Sequence, residues 1–561
     1  MKHKRILALC VAFCMLVCLF ASCGDNKYKD NKVKAYSYSQ ALTELSAFNK
    51  DIKCIKKKPV LDIYEDSETT VALADIDTFP LTVTSGGDIN IEIAAATELS
   101  SDAPDDWINI IAKNFNRENN MIGNKKVTVS VRKITSGEVL TYMTDGNYKP
   151  DVYIPSNDAW GKMLQSKGVG TVKLSDRILG NTAGILMKKN VYNSFVKKYK
   201  TVNLQNVIEA SLKGDINFAY TNPYTSSTGL NILTSTLYAF DKKDPLSEKA
   251  QAKLLDYQKK SPPVAYTTAV LKNQAAKGII NTMVMEEQAY INTPELKGYT
   301  YIPAGIRHDH PVYTFDYVSN EKQQAAELFV KYCLTTSSQK LGTEKGFNRH
   351  DNYKSKDTGM TGTDYLSAQR IWKQNKDGGQ PVIAMFVADV SGSMSGERLN
   401  ALKKSLISTS QYINSDNYIG LMSYSGNVYI NLPLDKFEAK QKAYFTGTVK
   451  GLQTEGNTAT YNAVLVALQK LVEKQKKVPN AKAMLFVLSD GESNTGYTLN
   501  RILPIVAGIK IPVYSIGYHI SDLSSTKNQL KELSEINEAA FINSSSDDIV
   551  NQLRNLFNTQ L

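Results

Sequence analysis

An apolar run, Val382-Ile-Ala-Met-Phe-Val-Ala388, breaks directly into Asp389-Val-Ser-Gly-Ser393, and this junction constrains the fold more than any other stretch of the chain. A short apolar run rich in β-branched residues and bounded by a glycine turn reads as a buried strand. The turn at its C-terminal end carries one carboxylate and two hydroxyls. Alternation puts Asp389, Ser391 and Ser393 on one side, and Gly392 permits the sharp bend. Oxygen-only donors of this kind suit a hard divalent cation, Mg2+ above all, which takes small oxygen ligands in near-octahedral geometry. Taken alone, the same residues also read as the N-cap of a helix entering at Glu397-Arg398-Leu399.

A second apolar run, Met484-Leu-Phe-Val-Leu-Ser489, ends in Asp490-Gly-Glu492. Between the two runs, Glu455-Gly-Asn-Thr458 is a glycine turn entering an amphipathic helix with Val464, Leu465, Ala467, Leu468 and Leu471 on its apolar face. All three segments belong at one edge of a parallel sheet, where open α/β folds bind ligands beyond the strand C-termini. These residues resemble the von Willebrand factor A family over Pro381 to about Leu556. That family's metal-ion-dependent adhesion site is D-x-S-x-S, then a Thr, then an Asp. The resemblance implies metal ligands at Asp389, Ser391, Ser393, Thr458 and Asp490, with Asn457 where a second Gly often stands. It further implies Mg2+ (Mn2+ or Ca2+ as alternatives) with one coordination position open to an acidic side chain of a protein partner. Some members couple that event to a shift of the last helix, here Ser546 to Phe557.

Further strands are expected at Tyr418–Tyr424, Val428–Leu432, Pro512–Tyr518 and Ala540–Asn543. Helical patterns cover Leu399–Ile413, Ala459–Lys474, Leu499–Ile509 and Leu530–Ile536. Alternation of strand and helix predicts an α/β domain over residues 381–561 with a doubly wound parallel sheet.

The other end of the chain bears on location. Met1-Lys-His-Lys-Arg5 precedes an uncharged apolar stretch from Ile6 to Ala21, short of the ~20 residues a membrane span needs and flanked like a signal peptide. Phe20-Ala-Ser-Cys23 resembles a bacterial lipobox with Phe20 in place of the usual Leu. That implies cleavage after residue 22, lipidation of Cys23, and an extracytoplasmic protein held at the cell membrane. An uncleaved anchor or a cut elsewhere is the plain alternative. Of six Cys, three lie in the signal and Cys23 is the lipid site. Only Cys54 and Cys333 remain, too few for a disulfide scaffold, although a bridge between them stays open.

In the middle, Asp88–Ala94, Val127–Val131 and Pro150–Ser156 read as strands. A helix from Asp105 to Arg117 presents Trp107, Ile108, Ile111, Ala112 and Phe115, and another opens at Ser136-Gly-Glu138. Together with Asn222-Pro-Tyr-Thr-Ser-Ser-Thr-Gly-Leu230 and Ala325–Val330, this βαβαβ pattern resembles the type II periplasmic solute-binding proteins, nearest the sulfate/molybdate-like group. The resemblance implies a two-lobed α/β domain over 88–349 that holds a small solute or oxyanion between its lobes. Thr97, Ser136, Ser226, Ser227, Thr228 and Tyr290 are its candidate contacts. Ser136 and Thr228 serve equally as helix N-caps. His308-Asp-His310 reads as a solvated loop.

Residues 23–87 are expected to be a Lys-, Asn- and Ser-rich tether with short apolar runs, and 350–380 a polar linker with one short helix at Tyr365–Lys373. The net charge of +11 lies mostly upstream of residue 380. It favours anionic headgroups or solubility, and no aromatic-interleaved basic face points to nucleic acid. A catalytic role is not expected: no Ser/His/Asp or Cys/His set stands out, no phosphate loop is present, and Glu492 is the single acid placed to act as a base near the turn. The expected function is therefore metal-dependent binding of a protein partner at the cell surface. The alternative is a solute-binding receptor of an ABC-type transporter or sensor, with the C-terminal domain as accessory.

Overall fold

The computed structural model describes residues 33–62, 73, 75–100, 106–260, 264, 271, 275, 280–355, 358–491, 493–518, 520, 525–537, 539–544 and 549–561. The signal segment, Cys23, Glu492 and Ser546 lie outside the described residues. The architecture is mixed α/β throughout, with the expected two-lobed middle domain and a C-terminal sheet in which all strands but the two at one edge run parallel.

A helix over Tyr38–Lys50 and strand β1 (Cys54–Lys56) come first. The first lobe of the middle domain follows, with β2 (Leu81–Val83), β3 (Ile89–Ala95), the short β4 (Met121–Ile122), β5 (Lys125–Lys133), β6 (Val152–Ile154) and β7 (Thr171–Ser175). β3 runs parallel to β5 and β6 at the centre. Its alternate residues Ile89, Ile91 and Ile93 are buried with Trp107, Ile108, Ile111 and Phe115 of the helix Trp107–Arg117, as a period-two strand facing a 3.6-period helix requires. The second lobe holds β8 (Asn181–Lys188), β9 (Phe218–Ala219), β10 (Thr282–Glu286) and β11 (Tyr299–His308) in the order β11-β8-β10-β9. The chain then returns to the first lobe, where β12 (Val312–Phe315) lies between β6 and β7.

Two crossings, at Leu179–Asn181 and His308–Val312, therefore join the lobes. They are tied to each other by Ile178 N–H donating to the His310 carbonyl (3.3 Å) and to the first lobe by His310 N–H donating to the Ser156 carbonyl (3.1 Å). The expectation of a solvated loop at His308-Asp-His310 is corrected here: both imidazoles are fully buried at the crossing. A local polar triplet carries no periodicity that would reveal such burial. The N-caps also differ by position, with Thr135 and Ser226 filling the roles expected of Ser136 and Thr228.

The linker helix is longer than expected, Gly362–Asn375, and opens on a Thr361/Asp364 capping box. It buries Tyr365, Ala368 and Trp372 and lies across both lobes. It packs on the helix Asp158–Ser166 of the first lobe and on Ser227–Phe240 and Glu248–Lys260 of the second. The turn after it, Gly378-Gly379, has positive φ at both residues, a conformation that glycine alone adopts without strain.

The C-terminal sheet comprises β13 (Val382–Asp389), β14 (Tyr418–Tyr424), β15 (Val428–Lys436), β16 (Lys482–Ser489), β17 (Val513–Tyr518) and β18 (Phe541–Ser544). Its order is β1-β15-β14-β13-β16-β17-β18. Every residue of β13 is buried. Ala384, Phe386 and Ala388 share one core with residues of the helices Glu397–Thr409, Ala439–Lys450 and Ile549–Gln560. Ile383, Met385 and Val387 share the other with Thr460–Gln475 and Leu499–Ile509. The helix at Ala439–Lys450 is not apparent in the sequence, because Phe445 and Val449 alone mark its apolar face amid lysines.

The expected tether at 23–87 is corrected over its described part. Ala41, Leu45 and Ile52 belong to the second of these cores, Asn49 donates to the Leu465 carbonyl (3.2 Å), and β1 pairs with β15 from Cys54↔Val428 to Lys56↔Ile430. Two small apolar positions four residues apart in a polar helix gave no clear amphipathic signal. Leu45→Ala is expected to lower C-terminal domain stability by about 3 kcal/mol, the usual cost of truncating a fully buried leucine, measurable by urea unfolding. Cys54 is exposed and Cys333 buried in the first lobe, and both are free. Among the described residues no helix is long and apolar enough to cross a membrane.

The last helix, Ile549–Gln560, reaches the middle domain. Arg554 forms a buried ion pair with Glu138 of the first lobe, and Lys373 of the linker helix donates to the Phe557 and Asn558 carbonyls (3.1 Å each).

Candidate functional site: an oxygen-lined turn and a polar cleft

Strands β13 and β16 are parallel neighbours, so Asp389 and Asp490 emerge side by side from the sheet edge. The turn after β13 folds back on itself, with Ser391 N–H donating to Asp389 Oδ1 (2.8 Å) and Ser391 Oγ lying 3.1 Å from Ser393 Oγ. Ser393 Oγ donates to Asp490 Oδ1 (2.9 Å), linking the two acids through the serines. The Thr458 loop is stitched alongside: Gly392 N–H donates to the Gly456 carbonyl (3.1 Å), and Thr458 N–H to Asn494 Oδ1 (2.9 Å). Thr458 itself is buried. The structure thus brings Asp389, Ser391, Ser393 and Asp490 into one hydrogen-bonded cluster, with Thr458 on the adjoining loop.

Around them stand residues that sequence reasoning did not assign. Ser489 donates to Asp389 Oδ2 (2.6 Å) and Tyr424 to the same oxygen (3.2 Å), fixing the carboxylate from behind. Arg398 donates to Asp490 Oδ2 (2.7 Å) and to the Ser393 carbonyl (3.1 Å), placing positive charge beside the pair. Ser489, which directly precedes Asp490 on the same strand, was the detectable signal. Burial pushes the Asp389 carboxyl up from its ordinary range and the charge of Asp490 adds to this, against hydrogen bonds from Ser391 and Ser489. Two acids and three hydroxyls make a hard-oxygen donor set, which fits a small divalent cation. Among the described residues no three His, Cys, Asp or Glu side chains converge to hold a metal, so the hydroxyls are an essential part of any such donor set.

The cleft residues fall into separate groups. Ser136 Oγ accepts from Ser156 N–H (3.2 Å), and Ser227 Oγ of the second lobe donates to Ser156 Oγ (2.8 Å) while accepting from Trp160 Nε1 (2.8 Å). Ser226 Oγ is taken up by Thr221 Oγ1 (2.8 Å) and Gly229 N–H (3.3 Å). Thr228 is buried in the first turn of its helix, and Thr97 is half-buried in the turn after β3. Tyr290 stands apart within the second lobe, its hydroxyl donating to the Tyr299 carbonyl (2.8 Å) and its ring stacked on Tyr301.

At the crossings lie three carboxylate–imidazole pairs absent from the sequence-based candidates: Glu98–His310 (3.2 Å), Glu286–His308 (2.6 Å) and Glu287–His350 (2.8 Å). Burial opposes ionisation of Glu98, but hydrogen bonding to His310, its charge, and a hydrogen bond from Ser156 outweigh this and hold the carboxyl below its ordinary range. Burial likewise opposes a charged His310, and Glu98 outweighs it, raising the imidazole. Glu286 is pushed up by burial and then by the charge of Glu98.

A raised His310 contributes stability fully below its ordinary value of 6.5 and loses it as pH rises through the folded value. A depressed Glu98 contributes above its ordinary 4.5 and loses it as pH falls through the folded value. The thermal midpoint in chelator should therefore be highest between those two pH values, and His310→Gln should flatten its alkaline decline in calorimetric scans.

Residues 97–348 match the family model for bacterial extracellular solute-binding proteins, and residues 385–557 match that for the von Willebrand factor type A domain. The chain therefore joins a solute-binding domain of that extracellular or periplasmic class to a C-terminal A domain. Inter-alpha-trypsin inhibitor heavy chain H3 of Bos taurus is 26% identical over 154 residues, which are 25% of this chain and 17% of that protein. The chain thus spans about a sixth of the length of the curated relatives it matches. Among solved structures, a von Willebrand factor type A protein from Catenulispora acidiphila is 14% identical, covering 32% of this chain and 42% of its own, with a TM-score of 0.29. A ferric binding protein from Campylobacter jejuni is 14% identical, covering 51% and 98%, with a TM-score of 0.38.

Proposed function

We propose that this chain is a lipoprotein of the cell surface, anchored through Cys23, that binds a protein partner through a divalent cation at Asp389, Ser391, Ser393, Thr458 and Asp490. The observation that carries the reading is the convergence of the two acids and two serine hydroxyls at the edge of the sheet, with Thr458 on the loop stitched beside them. Bound there, Mg2+ would supply a Lewis-acidic position for an acidic side chain of the partner. The protein's own residues do the positioning. Ser489 and Tyr424 hold Asp389 in one orientation, Asn494 holds the Thr458 backbone, and Arg398 offsets the charge of Asp490.

The test is an affinity capture. The chain without its signal and lipidation cysteine, residues 24–561, is immobilised in Mg2+ and challenged with envelope and secreted extract, and the column is eluted with a chelator beside an Asp389→Ala column. A protein released only from the wild-type column is expected; identical eluates from both would remove the reading. A second reading, a receptor delivering a small solute to a membrane transporter or sensor, draws support from the family match over residues 97–348.

A further inference from the structure

The hydroxyls that the cleft offers a solute are already bonded to one another across the lobes. Ser227 of the second lobe reaches Ser156 of the first, and Ser136 supports Ser156 from the adjacent helix. Glu98 lies beside Ser156, and its carboxylate meets His310 Nε2 at 3.2 Å. Glu98 projects from the turn after β3, at the C-terminal ends of the parallel strands β3, β5 and β6, the edge where parallel strands receive ligands. The side chain is 12% exposed. A carboxylate bonded to a buried imidazole, with a hydroxyl beside it, makes the contacts that an external anion would otherwise make.

The lobes are also in close contact elsewhere. A Cβ added at Gly137, in the first lobe, would lie 2.0 Å from the Tyr224 carbonyl oxygen of the second. The linker helix holds both lobes at once. A Cβ at Gly362 would lie 2.0 Å from the Lys162 carbonyl oxygen of the first lobe, while Gln369 donates to the Pro223 carbonyl (2.9 Å) and Trp372 to Tyr220 Oη (2.8 Å) in the second. Opening the cleft would break these contacts together.

We propose that Glu98 is the resident anion of the cleft: its carboxylate fills the imidazole-and-hydroxyl seat at the lobe boundary, the middle domain stands closed as a rigid body, and the seat accepts a small external carboxylate only once that side chain is removed. The metal turn plays no part in this, so the two proposals stand or fall separately. The solute-receptor reading is the one it opposes.

The experiment uses the full mature chain in chelator, with Glu98→Ala and Glu98→Gln. Truncation to alanine leaves a hole the size of acetate, lined by His310 and Ser156. Thermal midpoints and titration calorimetry are recorded in formate, acetate, sulfate, phosphate and chloride, with methylammonium as the cationic control. Wild type is expected to show no binding heat with any of these anions. Glu98→Ala should melt about 4 °C or more lower and regain at least half of that in acetate or formate, but not in chloride or methylammonium. Glu98→Gln fills the seat without charge and should show no rescue. Should Glu98→Ala fold poorly, refolding yield in acetate against chloride reads the same quantity. Wild-type binding of sulfate, phosphate or acetate, or an alanine variant indifferent to every anion, would overturn the proposal.

Discussion

The wild-type chain is expected to melt higher in Mg2+ than in chelator, and Asp389→Asn should erase that difference while staying within about 1 kcal/mol of wild-type stability once the cation is removed. Asn keeps the shape of Asp389 and its Oδ1 can still accept from Ser391 N–H, while its amide nitrogen can donate to the Ser489 and Tyr424 hydroxyls once these turn to accept. What it removes is a fully buried negative charge close to Asp490. A carboxylate in that position is costly without a counter-charge and favourable with one. At a concentration a hundredfold above its dissociation constant, a ligand that binds the folded state alone stabilises it by about 2.7 kcal/mol. That is the gain the variant should lack. Differential scanning fluorimetry across a Mg2+ series reads both quantities. A variant that gains as much as wild type would place the cation elsewhere, and one that fails to fold in chelator would make Asp389 structural.

The second large effect is expected at the domain junction. Arg554→Ala leaves Glu138 in a site where its side chain is 2% exposed, without the guanidinium beside it. Removing one member of a buried ion pair typically costs about 3–5 kcal/mol, whereas replacing both with apolar residues of similar size is close to neutral. Urea unfolding of Arg554→Ala should therefore show a separate early transition as the last helix leaves the first lobe. The double variant Arg554→Met, Glu138→Leu should recover most of the loss. Equal destabilisation in the single and double variants would mean that packing, rather than charge, holds the junction.

The oxygen-lined turn was legible because its side chains sit at fixed short spacings on the ends of apolar runs, where the strand pattern itself says which way the chain points. β13, β14, β16 and β17 were legible for the same reason. The cleft was not. Glu98 and His310 are 212 residues apart, and a polar side chain that finds its partner over such a distance leaves no periodic trace. His308 and His310 therefore read as solvent-facing although each is buried against a carboxylate. The helix Tyr38–Lys50 was missed on different grounds. Its fully buried positions, Ala41 and Leu45, are too few for a hydrophobic pattern, and it takes its place from the two helices it packs against, Thr460–Gln475 and Leu499–Ile509.

That helix has a consequence for the order in which the protein can be made. Asn49 bonds to Leu465, 416 residues later in the chain, so the C-terminal domain draws its two ends from either side of an entire inserted domain. At typical synthesis rates the helix waits roughly 20–80 s for its partner, whereas the middle domain has all its strands in hand long before. Maturation should be a two-beat process, an early insert and a late closure around it. Between the beats, a chaperone or the exporting machinery has an unpaired strand and an uncovered helix face to shield.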